Sequence, residues 1–361
     1  CIFLIYGSLQ SEYFLNSIRN TLFYIRFGIV TLIIWYLLEN FKKFKIIFFY
    51  FITVTFIFII FATVINLIFF EKLMYYNNRI SGIFGEELVQ GSFVLRTLPL
   101  FIIFYFYNKQ EINRKFIYLF YIILSSSIFL ILISAERSAI FLMCLMIFLM
   151  FIFLKINIKK IFIFLIAFLF LTFSTFQFFP QIKERIVDRT FKEVLDIDLR
   201  NDFNLNTDFK FNKLKFFSKG HEDHFESAIM MFRNNFISGV GVRNYRMECK
   251  KQIYKKVGKY HCTTHPHNTF AQILSETGII GFLFFISFLI YLYLKSFSYL
   301  TDIYIKKMKI NIPLATCMVL ILTNFFPLIP TGSFFNNWLS MLYFFPLGLL
   351  MFELNCKKMR L

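Results

Sequence analysis

Apolar runs long enough to cross a bilayer recur nine times along this chain, and no other feature narrows its fold as much. They lie near 21–39, 46–70, 91–107, 116–133, 138–154, 160–179, 279–295, 311–329 and 338–354, each close to the about 17–25 residues that a membrane-spanning α-helix needs. Lipid offers no water to satisfy an open backbone group, so such runs are forced into helices. Composition agrees: 58% of the 361 residues are hydrophobic and 56 are Phe, too few polar residues to cover a water-soluble globule. The expectation is an all-α polytopic membrane protein with about nine visible spans. "CIFLIYG" (1–7) reads as the tail of another apolar segment, which predicts one or more spans, and any signal segment, ahead of residue 1.

Basic residues orient the spans. Sixteen Lys and Arg fall in alternate short loops, the clusters Lys42, Lys43 and Lys45 and Lys155, Lys159 and Lys160 among them, against four (Arg19, Lys72, Arg79 and Arg137) in the short loops of the other side. The positive-inside bias makes the first set cytoplasmic. Three regions follow: N-terminal membrane helices (1–179), a large outer loop (180–264) and a histidine segment leading into C-terminal membrane helices (265–361). The loop carries 17 Lys and Arg, which long translocated loops tolerate. The formal charge of +18 is thus largely a matter of topology and gives no reason to expect a nucleic acid.

Within the loop, 181–197 sets Ile182, Ile186, Val187 and Phe191 at helical spacing, 200–217 has no period, and 224–236 is again amphipathic. "ISGVGVRNY" (237–245) then breaks the pattern with two glycines. Its Gly-x-Gly follows no strand, so a turn is the better reading than a nucleotide site. Cys144 and Cys317 fall in spans, whereas Cys249 and Cys262 lie close together in the loop. In an oxidising compartment these two could pair; free thiols and metal ligands are the alternatives.

All five histidines, His221, His224, His261, His265 and His267, lie between 221 and 267. Histidine suits proton transfer near neutrality. Pro266 in "HPHNTFAQILSE" reads as a helix start, which puts His267 in the first turn of the helix that leads to the next span. A neutral imidazole there can accept a proton from a hydroxyl beside a phosphate. Zinc is the sharper rival for these ligands, but the spacing matches no strong zinc pattern, and no metal is expected.

Arginine forms the second constellation. Arg26 and Arg96 lie about five residues, or ~7–8 Å, inside the outer ends of their spans, and Arg137 sits at the outer junction of two spans in "ISAERSAIF". Ionisable groups at membrane depth usually face a cavity or a partner. Guanidinium binds phosphate in a bidentate manner and keeps its charge when partly desolvated, so these residues suit a lipid diphosphate. For Arg26 the alternative is snorkelling to the interface. For Arg137 it is an ion pair with Glu136, although neighbours on a helix do not face each other.

Together, the many spans, an arginine in "SAERSA" and a long outer loop ending in "HPHNTFAQILSETGIIG" (265–281) resemble the O-antigen ligase and O-antigen polymerase superfamily. "NRISGIFGEELVQGSF" (78–93) and "MMFRNNFISGVGVRNYR" (230–246) resemble that family's glycine-containing outer loop and its turn before the histidine segment. The resemblance implies a bacterial inner-membrane glycosyltransferase that uses neither a metal nor a nucleotide sugar and no other cofactor. It would move a glycan from an undecaprenyl diphosphate carrier at the periplasmic face. By position, His267 would be the loop histidine and Arg137 the membrane-edge arginine, both catalytic. The chain departs from the family where "SKGHEDHFESA" (218–228) offers His221 or His224 instead of an early loop arginine; Arg233, Arg243 or Arg246 would then supply the second diphosphate contact, beside Arg96 and Arg26. His265, Asn268 and Glu276 are supporting candidates. Lipid A core is the leading acceptor. A growing glycan (polymerase) or a protein is the alternative, and a transporter of the lipid-linked glycan is the rival from another class.

Overall fold

The computed structural model describes residues 2–69, 75–76, 79–191, 218–327 and 329–358. The expected irregular stretch 200–217 and the end of the 181–197 helix lie outside the described residues. The rest is almost wholly helical: α1 (Ile2–Leu9), α2 (Phe14–Asn40), α3 (Lys42–Phe69), α4 (Gln90–Asn108), α5 (Phe116–Ile133), α6 (Arg137–Phe153), α7 (Ile158–Phe178), α8 (Lys219–Asn234), α9 (Thr269–Tyr304), α10 (Ile312–Asn324) and α11 (Asn337–Lys358). A two-residue pairing of Tyr75–Tyr76 with Arg79–Ile80 is the only strand structure among the described residues.

Seven helices, α2, α3, α4, α5, α7, α9 and α11, are long and apolar enough to cross a membrane. The two other expected spans form the shorter apolar helices α6 and α10. At 13 residues, α10 rises only about 20 Å, less than the ~30 Å hydrocarbon core. The sequence pattern thus placed every expected span on a helix and matched α6 in length, but overstated α10, expected over 311–329.

The chain forms two compact units. The first comprises Cys1–Trp35, Lys215–Met308 and Asn324–Met351, the second Tyr36–Leu214, Lys309–Thr323 and Phe352–Leu361. In the first, α8 and α1 pack on α9, over a buried cluster that includes Ala228, Met231, Val240 and Tyr245. Helix α8 begins at Lys219, five residues ahead of the expected start, because the charged stretch 219–223 continues the amphipathic period; His221 and His224 are therefore helical. A disulfide joins Cys249 to Cys262. In the second unit, α4 packs against α3, α5 and α6 through phenylalanine-rich faces, with Phe101 over Phe120 at 5.6 Å and Tyr105 over Phe120 at 4.3 Å.

Candidate functional site

In the first unit the histidines converge. His221 and His224 occupy the first turns of α8. The ring of His267 lies 4.2 Å from that of His265 and 5.3 Å from each of His221 and His224. His267 is not in the first turn of α9, as the sequence suggests. The helix begins at Thr269, and Asn268 is its N-cap, accepting the Phe270 and Ala271 N–H groups at 2.9 and 3.0 Å. An N-cap is extended, not helical, so His267 lies outside the helix, in a left-handed conformation (φ 54°). Its carbonyl accepts the Thr331 N–H at 2.8 Å, and Asn268 Nδ2 donates to the Pro327 carbonyl at 2.7 Å. Both faces of the histidine loop are thereby tied to the segment before α11.

Burial, reinforced by the charges that His265, His221 and His224 would carry, lowers His267 from the ordinary histidine range to about 3. Burial also lowers His265, to about 4, against the pull of its bond to the Thr331 carbonyl and with help from Arg246. His224 is lowered too, again mainly by burial. Four imidazoles this close cannot all be charged. His267, His265 and His224 are therefore held in the neutral form at physiological pH and can accept protons.

Behind it, Glu276 is fully enclosed. Its carboxylate accepts the Arg243 N–H at 2.9 Å, the Tyr245 N–H at 3.1 Å and Gln272 Nε2–H at 3.3 Å. The expected turn is thus pinned to α9 by a side chain as well as by Val240 and Gly241 N–H bonds to the Ser275 and Glu276 carbonyls. The hydroxyl of Tyr245 donates to the His224 carbonyl at 3.1 Å and lies 3.4 Å from that of His261, so the turn also fixes the segments that carry histidine. Arg243, with φ 60°, donates through Nη1 to Asn20 at 3.3 Å. The buried Arg246 Nε has no hydrogen-bond partner among the described residues, and its charge is felt by both His265 and Glu276. Arg26 is exposed; it donates to Asn337 at 2.7 Å and lies over Phe27 at 4.9 Å, an arrangement that fits interface anchoring.

The second unit holds the other constellation, around Glu136. Its carboxylate accepts the Gly91 N–H at 2.7 Å, the Ser92 N–H at 3.3 Å and the Ser92 hydroxyl at 2.8 Å, so it caps α4 from another segment of the chain. Arg79 approaches it at 3.7 Å and donates to the Leu88 carbonyl at 2.7 Å. Burial raises the Glu136 carboxyl, opposed first by Arg79 and then by Ser92, Gly91 and Arg96. The charge of Arg137 is felt in turn by Arg79. Arg96 is 3% exposed; its Nη1 donates to the Ser92 carbonyl at 3.2 Å, while its Nε has no partner among the described residues. Arg79 and Arg96 thus both act on one carboxylate, and the charge of Arg137 adds to that of Arg79, an excess of positive charge suited to an anion. Arg79 was not anticipated as a site residue. The signal available was its place in "NRISGIFG", one step before a glycine-bearing loop. Among the described residues no group of three or more His, Cys, Asp or Glu is disposed to hold a metal ion.

Residues 119–286 match the family model described as O-antigen ligase. The matched stretch contains Glu136, Arg137, all five histidines and Glu276, and stops short of Arg26, Arg79 and Arg96. No curated protein matches the chain.

Proposed function

From the O-antigen ligase domain at residues 119–286, which supports membership of the O-antigen ligase and polymerase superfamily, we propose that this membrane protein is an inverting glycosyltransferase. It moves a glycan from undecaprenyl diphosphate to lipid A core at the periplasmic face of the bacterial inner membrane. The acceptor hydroxyl attacks the glycosyl C1. The new C–O bond forms as the bond to the diphosphate oxygen breaks, the leaving diphosphate takes the bonding electrons, and the hydroxyl proton passes to an imidazole.

The observation that carries this reading is the neutral state of His267 inside the histidine cluster. An unprotonated ring is ready to orient and deprotonate a hydroxyl, and the approach of a diphosphate would raise its affinity for that proton. Arg246, with a buried donor left over, suits the diphosphate in the first unit. Arg137 is assigned to the leaving group by the family resemblance, with Arg96 and Arg243 as further phosphate ligands. Neutralising charge that grows on a leaving group is the kind of preorganised electrostatic help that supplies much of enzymic rate enhancement. Asn268 and Glu276 act by holding the histidine loop.

The test is transfer by purified full-length protein in EDTA, with an undecaprenyl-diphosphate-linked oligosaccharide and either lipid A core or no second acceptor. Glycosylated lipid A core is the expected product. Elongation of the lipid-linked chain would make the protein a polymerase, and donor binding without turnover would make it a transporter.

A further inference from the structure

We propose that a groove in the second unit, at the end of α6 remote from Arg137, binds an anionic glycerophospholipid, with an acyl chain along α6 and the phosphate between Lys160 and Lys309. The groove has a volume of about 730 Å³, well within the roughly 300–1,000 Å³ of ligand-binding sites. It runs between α4, α5, α6 and α7, and Met143, Met146 and Met150 form one wall. Methionine is flexible and polarisable and adapts to an irregular apolar guest. From Met143 to Leu154, both lining residues, α6 advances ~16 Å, about the depth of one leaflet of a ~30 Å hydrocarbon core.

The groove exists because α7 stands off from its neighbours. Thr175 is its one buried residue; its ring contacts among the described residues include Phe164 with Phe151 at 5.5 Å and Phe179, just beyond the helix, with Phe129 at 6.4 Å. Charge then selects the guest. Among the described residues, Lys160 and Lys309 are the only charged ones lining the groove, and both are exposed. Helix α7 starts at Ile158 with Lys159 and Lys160 in its first turn and no acidic residue there. Cations at a helix N-terminus oppose the dipole, whereas an anion is favoured. A phosphate between the lysines meets both requirements, and basic pockets between membrane helices are known to take acidic headgroups. The ammonium of a zwitterionic phosphatidylethanolamine would be repelled by the same lysines. The inference does not rest on the proposed reaction, because the charged end of the groove and Arg137 lie at opposite ends of α6.

The experiment is native mass spectrometry of purified, delipidated full-length protein mixed with equal amounts of phosphatidylglycerol and phosphatidylethanolamine of the same chain length. Phosphatidylglycerol should be retained at least 5-fold over its competitor. Lys160→Ala with Lys309→Ala should remove that preference, and Met146→Trp, which fills the groove, should reduce retention of both lipids. Equal retention by the unaltered protein, or an undiminished preference in the lysine variant, would overturn the proposal. So would displacement of phosphatidylglycerol by inorganic phosphate alone, which would reduce the site to its charges, or by an equal amount of undecaprenyl phosphate, which would make the occupant a polyprenyl lipid.

Discussion

His267 sits where a backbone constraint and an electrostatic one meet. A left-handed residue other than glycine costs about 1 kcal/mol or more, and the segment tolerates it because the Asn268 cap and the Thr331 bond fix the chain on either side. The ring is thereby held among three others and kept neutral. His267→Ala should lower transfer by roughly 10²–10⁴-fold, the usual worth of a positioned general base, with unchanged membrane yield; near-normal turnover would remove His267 from the mechanism. The charge balance gives a second expectation. Because the folded-state value of about 3 lies below that of the unfolded chain, the unfolded state binds more protons between about pH 6.5 and pH 3. The stability that goes with neutral His267 is therefore complete above about pH 6.5 and is lost as pH falls toward 3. His265→Asn removes one charge that depresses His267, so the pKa of His267 should rise and the acid limb of kcat/KM should move to higher pH. A limb that stays in place would mean that His267 does not titrate in the free enzyme. The histidine clustering was plain in the sequence, but the local conformation was not: Pro266 signalled a helix start, and the decisive cap was the asparagine two residues later.

At the scale of elements, the site depends on how the 239–245 turn grips α9. Gly278 has φ 63° and ψ −166°, a conformation nearly confined to glycine, and a Cβ there would collide with the Ile237 backbone, as one on Gly239 would with Glu276 and Thr277. The two glycines let the chains approach closely enough for the Ile279 N–H to bond the Phe236 carbonyl at 2.9 Å. The sequence anticipated a turn at the two glycines of 237–245, though not that it and Gly278 exist for the sake of each other, since contact between distant segments leaves no local period. Gly278→Ala should destabilise the protein by about 1–3 kcal/mol, read as a lower midpoint of thermal unfolding in detergent. A midpoint equal to that of the parent would show that the bend is dispensable. The same reasoning applies to Glu136, whose link to α4 spans 45 residues of chain and was not legible beforehand. Glu136→Ala strips the carboxylate from the α4 N-terminus and from Arg79 together. Removing one partner from a buried charge cluster costs about 3–5 kcal/mol, so this variant should lose folded yield far more than a substitution at exposed Glu86.

For the whole molecule, hydropathy was the most legible signal, because a lipid environment makes the chain announce each helix in its composition. It could not set the end of α10, where apolar residues continue past Asn324, the point at which the backbone leaves the helix. Orientation rests on a separate argument, the excess of Lys and Arg in alternate loops, and the Cys249–Cys262 disulfide agrees with it, since such a bond persists on the oxidising side of a membrane. Closing a loop with a sequence separation of 13 residues is worth about 3 kcal/mol in the chain-entropy model, which ties the stability of the histidine loop to the compartment it occupies. Two exposed lysines make the orientation measurable. Lys256 lies in the disulfide-bearing loop and Lys115 in a basic short loop between α4 and α5. Lys256→Cys should be labelled by a membrane-impermeant maleimide in intact spheroplasts, and Lys115→Cys only after the membrane is permeabilised. The reverse pattern would put the histidine cluster in the cytoplasm, where a periplasmic transfer reaction is impossible and where the disulfide would not persist. Labelling of Lys256→Cys alone would therefore place the proton-accepting cluster and the proposed acceptor in the same compartment, the one condition that the transfer chemistry cannot do without.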